Sequence, residues 1–540
     1  MIKPSLLALG VSLSFVGACG GRYSISADSN QASNEVPIGG SGSSAGGVRN
    51  GTSSVGGAYS VVIGVGGASS GGSVGVGGQG LAGAGLGGGG NGPSVGGSVG
   101  SAGGSAGSAG RAGNPGTAGI AGIAGDGSAG AGGTNNGELH VTSATAFPAA
   151  ETSLVGLLIA VDSQDTAVVL GPSAQTASYD PGPALTWIPT SGPTRQKTFA
   201  GEPTPTAMAV DASNAVWLAG RLEKAATFGG TTIQPVSTGY YLVKIAADGS
   251  NVFTKAIARS ETDVVYDSAS SIAFDAQGNA YVVGDLIQSS GMHCSVLVDK
   301  FSPTGTLLVD RVFPGTGNTG SAMDAAVAPN GDLVIAGQFA KTLAFGATTL
   351  TSASGEYKNG FVATLDPADL SAKHAQSFGG ASFYDMALAI DVTSTGALRV
   401  SGSLAGQSSI GGATVQANAG GSAFIAELTA AGTLNWVDVL AGQGIVFQTS
   451  TGIDDRTFAV GRIESGNSTA FLIETGPGAT LAFPLLTDVG WTSGATATAA
   501  DRHGGAWVSV ESVGATPFGT VLASGADPTL LTNFLVHLEP

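Results

Sequence analysis

The side chains able to do chemistry are few in this chain of 540 residues, and their spacing excludes several reactions at once. Its five histidines, His140, His293, His374, His503 and His537, are scattered. None stands at the i, i+4 spacing that puts two imidazoles on one zinc ion. His503 falls in a turn and His537 alternates outward on the last strand, so both are expected on the solvated surface. No Gly-x-Ser-x-Gly elbow lies between a strand and a helix, because no convincing helix is present. The glycine strings before residue 138 imitate phosphate loops but lack the lysine and the helix that make one work. Catalytic residues are left unassigned, and the expectation is no metal and no cofactor.

Carboxylates beside aromatics offer a second chemistry. Arg259, Glu261, Asp263, Tyr266 and Asp267 cluster in one segment, and Phe383, Tyr384 and Asp385 in another. An aromatic face with an acceptor next to it suits a sugar or a cation, so Asp263, Tyr266, Asp267, Tyr384 and Asp385 are the candidate ligand-binding residues. Two such carboxylates about 5 to 10 Å apart would instead define a hydrolase or lyase acting on glycans. A recurring aspartate, at Asp162, Asp211, Asp275, Asp391 and Asp501, suggests calcium. Each of its loops offers only one or two oxygens, whereas calcium takes six to eight.

The elements that must position these residues are written as a repeat. Short apolar segments ending in Gly171, Gly220, Gly284, Gly337, Gly402 and Gly461, with Val510 in the same place, recur about every 56 residues. Each is preceded by a strand and a tight turn such as Asp275-Ala-Gln-Gly-Asn279, where aspartate bonds local backbone and glycine takes the left-handed position. A third strand follows, as in YYLVKI ending at Ile245, and then a fourth, as in NVFTKAI ending at Ile257. Alternation in several third strands predicts sheets with unequal faces. Four strands repeated seven times predict an all-β fold, a seven-bladed β-propeller over residues 138–540. A parallel β-helix would need shorter coils. The seventh copy ends at Pro540, one strand short, and Leu139 to Phe147 is the expected missing strand, closing the last blade from the N-terminal side. Trp187, Trp217, Trp436, Trp491 and Trp507 are expected to pack between blades.

The first 137 residues have another character. Residues 1–19 read as a secretion signal: Lys3, an apolar run from Ser5 to Val16, then Val16-Gly17-Ala18-Cys19. The run is too short to span a bilayer, which takes about 20 residues. From Gly39 to Gly137, 41 of 99 residues are glycine and only Arg49, Arg111 and Asp126 are charged, so no core can form and 20–137 is read as a disordered linker. Gly104 to Gly125 repeats glycine every third residue, but holds one proline, too few for a collagen helix. Cys19 and Cys294 are the only cysteines, and this reading assigns them no disulfide. Residues 138–540 hold 34 acidic and 16 basic residues, which disfavours nucleic acid and anionic membrane surfaces as partners.

The segment Ser271-Ile-Ala-Phe-Asp-Ala-Gln-Gly-Asn-Ala-Tyr-Val-Val-Gly284 resembles the SBBP-type propeller repeats of bacterial surface proteins. Val-Gly-Ala-Cys19 resembles a lipobox, and with the glycine-rich spacer it is similar to Gram-negative surface lipoproteins. The resemblance implies diacylglycerol on Cys19 and an envelope location at the outer membrane or cell surface, and it carries no catalytic residues to transfer. The expected function is a monomeric, lipid-anchored binding or adhesion module with a glycan or protein ligand on one face of the propeller. The alternatives are the carboxylate hydrolase or lyase and a purely structural envelope protein.

Overall fold

The computed structural model describes residues 12–16, 22–26 and most of 139–540. The exceptions in the latter range are 148–156, 173–182, 237–238, 260–263, 289–292, 354, 356, 383–384, 453–454, 466, 477–478, 485–493, 514, 519–520 and 525–530. Cys19, the linker apart from Arg22–Ser26, and the Gly104–Gly125 stretch therefore lie outside the described residues, as does Trp491. Ser12–Val16 and Arg22–Ser26 pair antiparallel.

Among the described residues there is no α-helix, and the strands form seven antiparallel blade sheets, six of four strands and one, in blade 2, of five; the strands follow sequence order in all but the last blade. Blade 1 comprises Leu158–Val161, Ala167–Pro172, Pro183–Ile188 and Arg195–Thr198. The first strands of blades 2 to 7 are Ala200–Val210, Val264–Phe274, Gly320–Val327, Met386–Val392, Gln443–Thr451 and Gly494–Ala500. Each first strand lies against the first strand of the next blade, and that of blade 7 lies against that of blade 1. In blade 7 the fourth strand is His140–Phe147, which pairs with Leu531–Glu539 from His140↔Glu539 to Phe147↔Asn533.

Seven apolar clusters hold the ring, one between each pair of adjacent blades, in place of a single core. Trp217, Leu242 and Val282 fill the seam between blades 2 and 3; Ile159, Trp507 and Leu535 fill that between blades 7 and 1. Every blade is thus sandwiched, and its second strand is buried on both faces: Leu333–Phe339 and Leu398–Leu404 are buried throughout. The third strands that suggested unequal faces, such as Gly239–Ile245 and Asn359–Leu365, are buried at all but one position, which corrects that expectation.

The glycine that ends the second strand has a steric cause. A Cβ on Gly284, Gly337, Gly402 or Gly461 would lie 1.8 to 2.1 Å from a carbonyl oxygen of the first strand of its own blade. At that level the first strand carries a one-residue bulge, between Ala269 and Ser271 in blade 3 and between Ala322 and Asp324 in blade 4. The bulge pushes the carbonyl into the space where a side chain would stand.

Cys294, at the start of His293–Phe301, is buried and disulfide-bonded, against the expectation. The only other cysteine in the chain is Cys19.

Candidate functional site: the turn face of the channel

At Asp162, Asp211, Asp275 and Asp501 the recurring aspartate caps its own turn, whereas Asp391 lies within the first strand of blade 5 and Thr393 caps that turn. Asp162 Oδ1 accepts the N–H groups of Gln164 and Thr166 at 2.8 and 2.9 Å. Asp501 Oδ1 does the same for His503 and Gly505 at 2.8 and 2.7 Å, and Asp211 Oδ1 for Ser213 and Ala215 at 2.9 and 3.1 Å. The second oxygen reaches the blade interior. Asp211 Oδ2 accepts Trp217 Nε1 at 2.9 Å and Lys244 Nζ at 2.8 Å. Burial opposes ionisation of Asp211, but Lys244 and the other donors prevail and hold its pKa at about 2. A carboxylate so surrounded by donors is a structural cap, which answers the calcium reading for these turns.

The interior partners vary by blade at one register position. Trp217 faces Lys244 in blade 2, Tyr281 faces Lys300 in blade 3, Arg399 faces Glu427 in blade 5, and Trp507 faces His537 in blade 7. His537 is consequently not on the surface. It is 6% exposed, stacks on Trp507 with centroids 4.1 Å apart, and its Nε2 lies 3.0 Å from Asp501 Oδ2. Sequence alternation missed this because the third strand has no outward face. His503 is exposed, as expected. Trp217 also meets Phe274 of blade 3 edge-on at 5.6 Å, a packing role between blades.

A second set of side chains joins neighbouring turns. Asp165, Asn214 and Asp455 all hold a left-handed backbone, at φ 59°, 61° and 57°. Each occupies the fourth position of its turn, where the turns of blades 3, 4, 5 and 7 have Gly278, Gly331, Gly396 and Gly504. Each accepts a backbone N–H from the preceding blade: Asn214 from Ser163 at 2.9 Å, Asp165 from Arg502 at 2.9 Å, and Asp455 from Ser394 at 2.5 Å. The left-handed conformation aims a short polar side chain across the seam at a cost that glycine would avoid.

These turns rim a cavity of about 350 Å³ at the mouth of the channel, with walls from blades 1, 2, 6 and 7. Asp162, Asp211, Asn214, Asp501 and Arg502 line it, with Val161 and Val210 at the strand ends. A neighbouring cavity of about 250 Å³ runs between blades 1 and 2 and shares Asp162 and Asn214 with the first. Trp187, Pro189 and Pro193 form its apolar wall, and Arg195 lies over the Trp187 ring at 4.3 Å.

The sequence-predicted site is not assembled. Asp263 and Tyr384 lie outside the described residues. Tyr266 and Asp267 belong to the first strand of blade 3, pairing with Ile287 and Leu286, where the sequence suggested an open loop. Asp385 is fully buried and accepts Gly380 N at 2.7 Å, Ala405 N at 2.9 Å and Ser408 Oγ at 2.8 Å. Burial raises its pKa against those three donors. Arg259 is buried too, held by Asp299 at 2.6 Å and Asp310 at 2.8 Å.

One pair of carboxylates does line the channel. Asp324 of blade 4 accepts Ser271 Oγ of blade 3 at 2.7 Å and Ile390 N of blade 5 at 3.0 Å, so it bridges three blades. Burial raises its pKa to about 6. Asp391, on the neighbouring first strand, is raised to about 7 by burial and by the charge of Asp324.

Fold and site together define a β-propeller with a polar cavity at the turn face of its channel. No family model and no curated protein sequence matches the chain. Among solved structures it is similar to one from the crystal structure of a mitotic checkpoint complex, at 10% identity over 78% of this chain and 98% of the other, with a TM-score of 0.43. It is also similar to the Neurospora crassa Pan2 WD40 domain, at 10% identity over 74% and 95% of the two chains with a TM-score of 0.41. A third is YCF48 bound to D1 peptide, at 10% identity over 74% and 94% with a TM-score of 0.39.

Proposed function

We propose that this chain is a non-enzymatic binding module, displayed at the cell envelope by a lipid on Cys19 and taking its ligand at the turn face of the channel. The supporting observation is the left-handed trio Asp165, Asn214 and Asp455 in three of the four turns around the 350 Å³ cavity. Side chains held in a disfavoured backbone region fix a rim in advance, and such strain gathers at ligand clamps. The lipobox-like Val16-Gly17-Ala18-Cys19, the long glycine-rich linker and the likeness to SBBP-type repeats support the anchored, surface-displayed form. The test of display is fractionation. The full chain should sediment with membranes, and Cys19→Ala should leave it soluble; retention of the variant in the membrane fraction would refute the anchor.

A hydrolase reading has one observation behind it, the Asp324 and Asp391 pair, in which one group holds a proton near neutral pH. Both oxygens of Asp324 already accept donors from neighbouring blades, which suits a stitch between blades better than attack on a substrate.

A further inference from the structure

The donors and acceptors of the turn face divide into those already used and those left over. The used set is large. The N–H groups of Gln164, Thr166, Ser213, Ala215, His503 and Gly505 point into aspartate caps. Those of Ser163 and Arg502 go to the neighbouring blades. An anion therefore finds no open nest of backbone amides here. An extended peptide finds no free sheet edge in these turns. A metal ion would have to displace N–H donors from the Asp211 and Asp501 carboxylates.

The groups left over are side-chain forks. Among the described residues, Asp162 Oδ2, Ser163 Oγ, the Gln164 carboxamide, Asn214 Nδ2 and the Arg502 guanidinium have no protein partner. All five residues line one or both of the joined cavities. They mix acceptors with donors, and the one carboxylate is balanced by the one guanidinium. Beside them stand Pro189 and Pro193, with Trp187 buried under Arg195 in the same wall.

From this remainder, and resting on the binding-module reading above, we infer that the joined cavities at the turn face bind a short neutral saccharide. A sugar hydroxyl both donates and accepts, so adjacent hydroxyls suit planar forks such as carboxylate, carboxamide and guanidinium. The carbon face of the ring needs an apolar wall, which Pro189 and Pro193 supply, while Trp187 lies buried at 2% exposure with Arg195 over its ring. The larger volume, about 350 Å³, is at the low end of the range of small-ligand sites, and the smaller, about 250 Å³, lies just below it.

The experiment titrates the full-length Cys19→Ala chain with a panel of neutral di- to tetrasaccharides and, in parallel, with unrelated decapeptides. Gln164→Ala and Arg502→Ala are made in the same background; both side chains are exposed and unbonded, so folding should be unaffected. The expected result is saturable binding of at least one saccharide, with its Kd raised about tenfold in each variant and a change in tryptophan emission that Trp187→Phe reduces. Saccharide binding insensitive to both variants would overturn the assignment of the site while leaving a binding module. Peptide binding without saccharide binding would overturn the ligand class alone. No binding by either panel would overturn the inference and the binding-module reading together.

Discussion

Asp165 of blade 1 accepts the backbone N–H of Arg502 in blade 7 at 2.9 Å, from a left-handed backbone at φ 59°. The two residues are 337 positions apart, and their bond crosses the seam where the first and last blades meet. His503 adds a second contact, with Nε2 3.2 Å from Asp165 Oδ2. Three substitutions separate the backbone term from the latch. Asp165→Asn keeps the acceptor and tolerates the conformation, so stability should be nearly unchanged. Asp165→Gly relieves the backbone but breaks the latch, for a net loss of about 1 kcal/mol or less. Asp165→Ala loses both and should cost about 2 kcal/mol. Urea melts rank the three; an alanine variant as stable as the asparagine one would show that the latch carries no energy.

The bulge and glycine pairing predicts a contrast between two glycines of blade 4. Gly337→Ala would place its Cβ 2.0 Å from Ser321 O, a backbone atom of the neighbouring strand that cannot swing aside. The expected loss is about 2 kcal/mol or more. A Cβ on Gly331 would meet no atom within 4 Å, but the backbone there has a φ of 88°, so Gly331→Ala should cost only the conformational term of about 1 kcal/mol. Equal melting temperatures for the two variants would count against the steric account.

These positions also mark what could be read from the sequence. The repeat was legible because second and third strands are buried on both sides, which leaves dense apolar runs punctuated by a glycine that sterics impose. The strand from His140 to Phe147 was legible because it is a lone strand pattern ahead of the first repeat, and the seventh repeat shows only three. The site was not. Asp385 looks like a loop carboxylate, and only the fold brings Gly380, Ala405 and Ser408 to it. Asp165 and Asn214 look like ordinary turn residues, since their partners lie 337 and 51 residues away. The one available signal was the non-glycine residue at a turn position that elsewhere holds glycine.

Stability should pass through a maximum in mild acid. Asp324 and Asp391 have folded pKa values raised to about 6 and about 7, above the ordinary 3.8. For an acid raised by folding, the folded state binds the extra proton. Their contribution is complete below about pH 4 and is lost as pH rises through 6 to 7. Asp211 has the opposite sign: its pKa of about 2 gives stability above pH 4 that is lost as pH falls toward 2. Around the channel pair stand Ser271, Ile390 and Thr451, none of which is charged. Thermal melts should therefore rise from pH 8 to pH 5 and fall below pH 4. Asp391→Asn should make the limb from pH 5 to 8 shallower, leaving the part carried by Asp324 and Asp299, and stabilise the protein at pH 8 by on the order of 2 kcal/mol. An unchanged limb in that variant would mean that the pair does not titrate there.

Cys19 has one sulfur, and lipidation and a disulfide exclude each other. If diacylglycerol is attached there, the thiol of Cys294 is released in the processed protein, where it stays 1% exposed. Intact mass of the membrane-extracted chain should show the lipid together with one thiol that alkylates only after denaturation. A disulfide in the membrane-extracted chain would place the lipid elsewhere or remove it.

The strand from His140 to Phe147 makes the closing blade separable in a way that the others are not. It is covalently joined to blade 1, yet its hydrogen bonds go to Leu531–Glu539 at the far end of the chain. Its anchors are Leu139 and Phe147, both under a tenth exposed, and Thr142 Oγ1 sits 3.2 Å from His537 Nδ1 at the bulge between Val141 and Ser143. A chain that begins at residue 148 would keep six full blades but expose the edge of Leu531–Glu539 and the apolar side chains beneath it. Burial of Leu139 and Phe147 alone contributes about 3 to 5 kcal/mol by side-chain transfer values, so the truncated form should melt markedly lower and self-associate through the open edge. A synthetic peptide of residues 138–148 added in excess should restore the monomer and raise the melting temperature with peptide concentration, as binding to the folded state requires. Substituting Phe147→Ala in the peptide should abolish the rescue. If the truncated chain is as stable as the full one, or the peptide has no effect, the last blade does not depend on its borrowed strand.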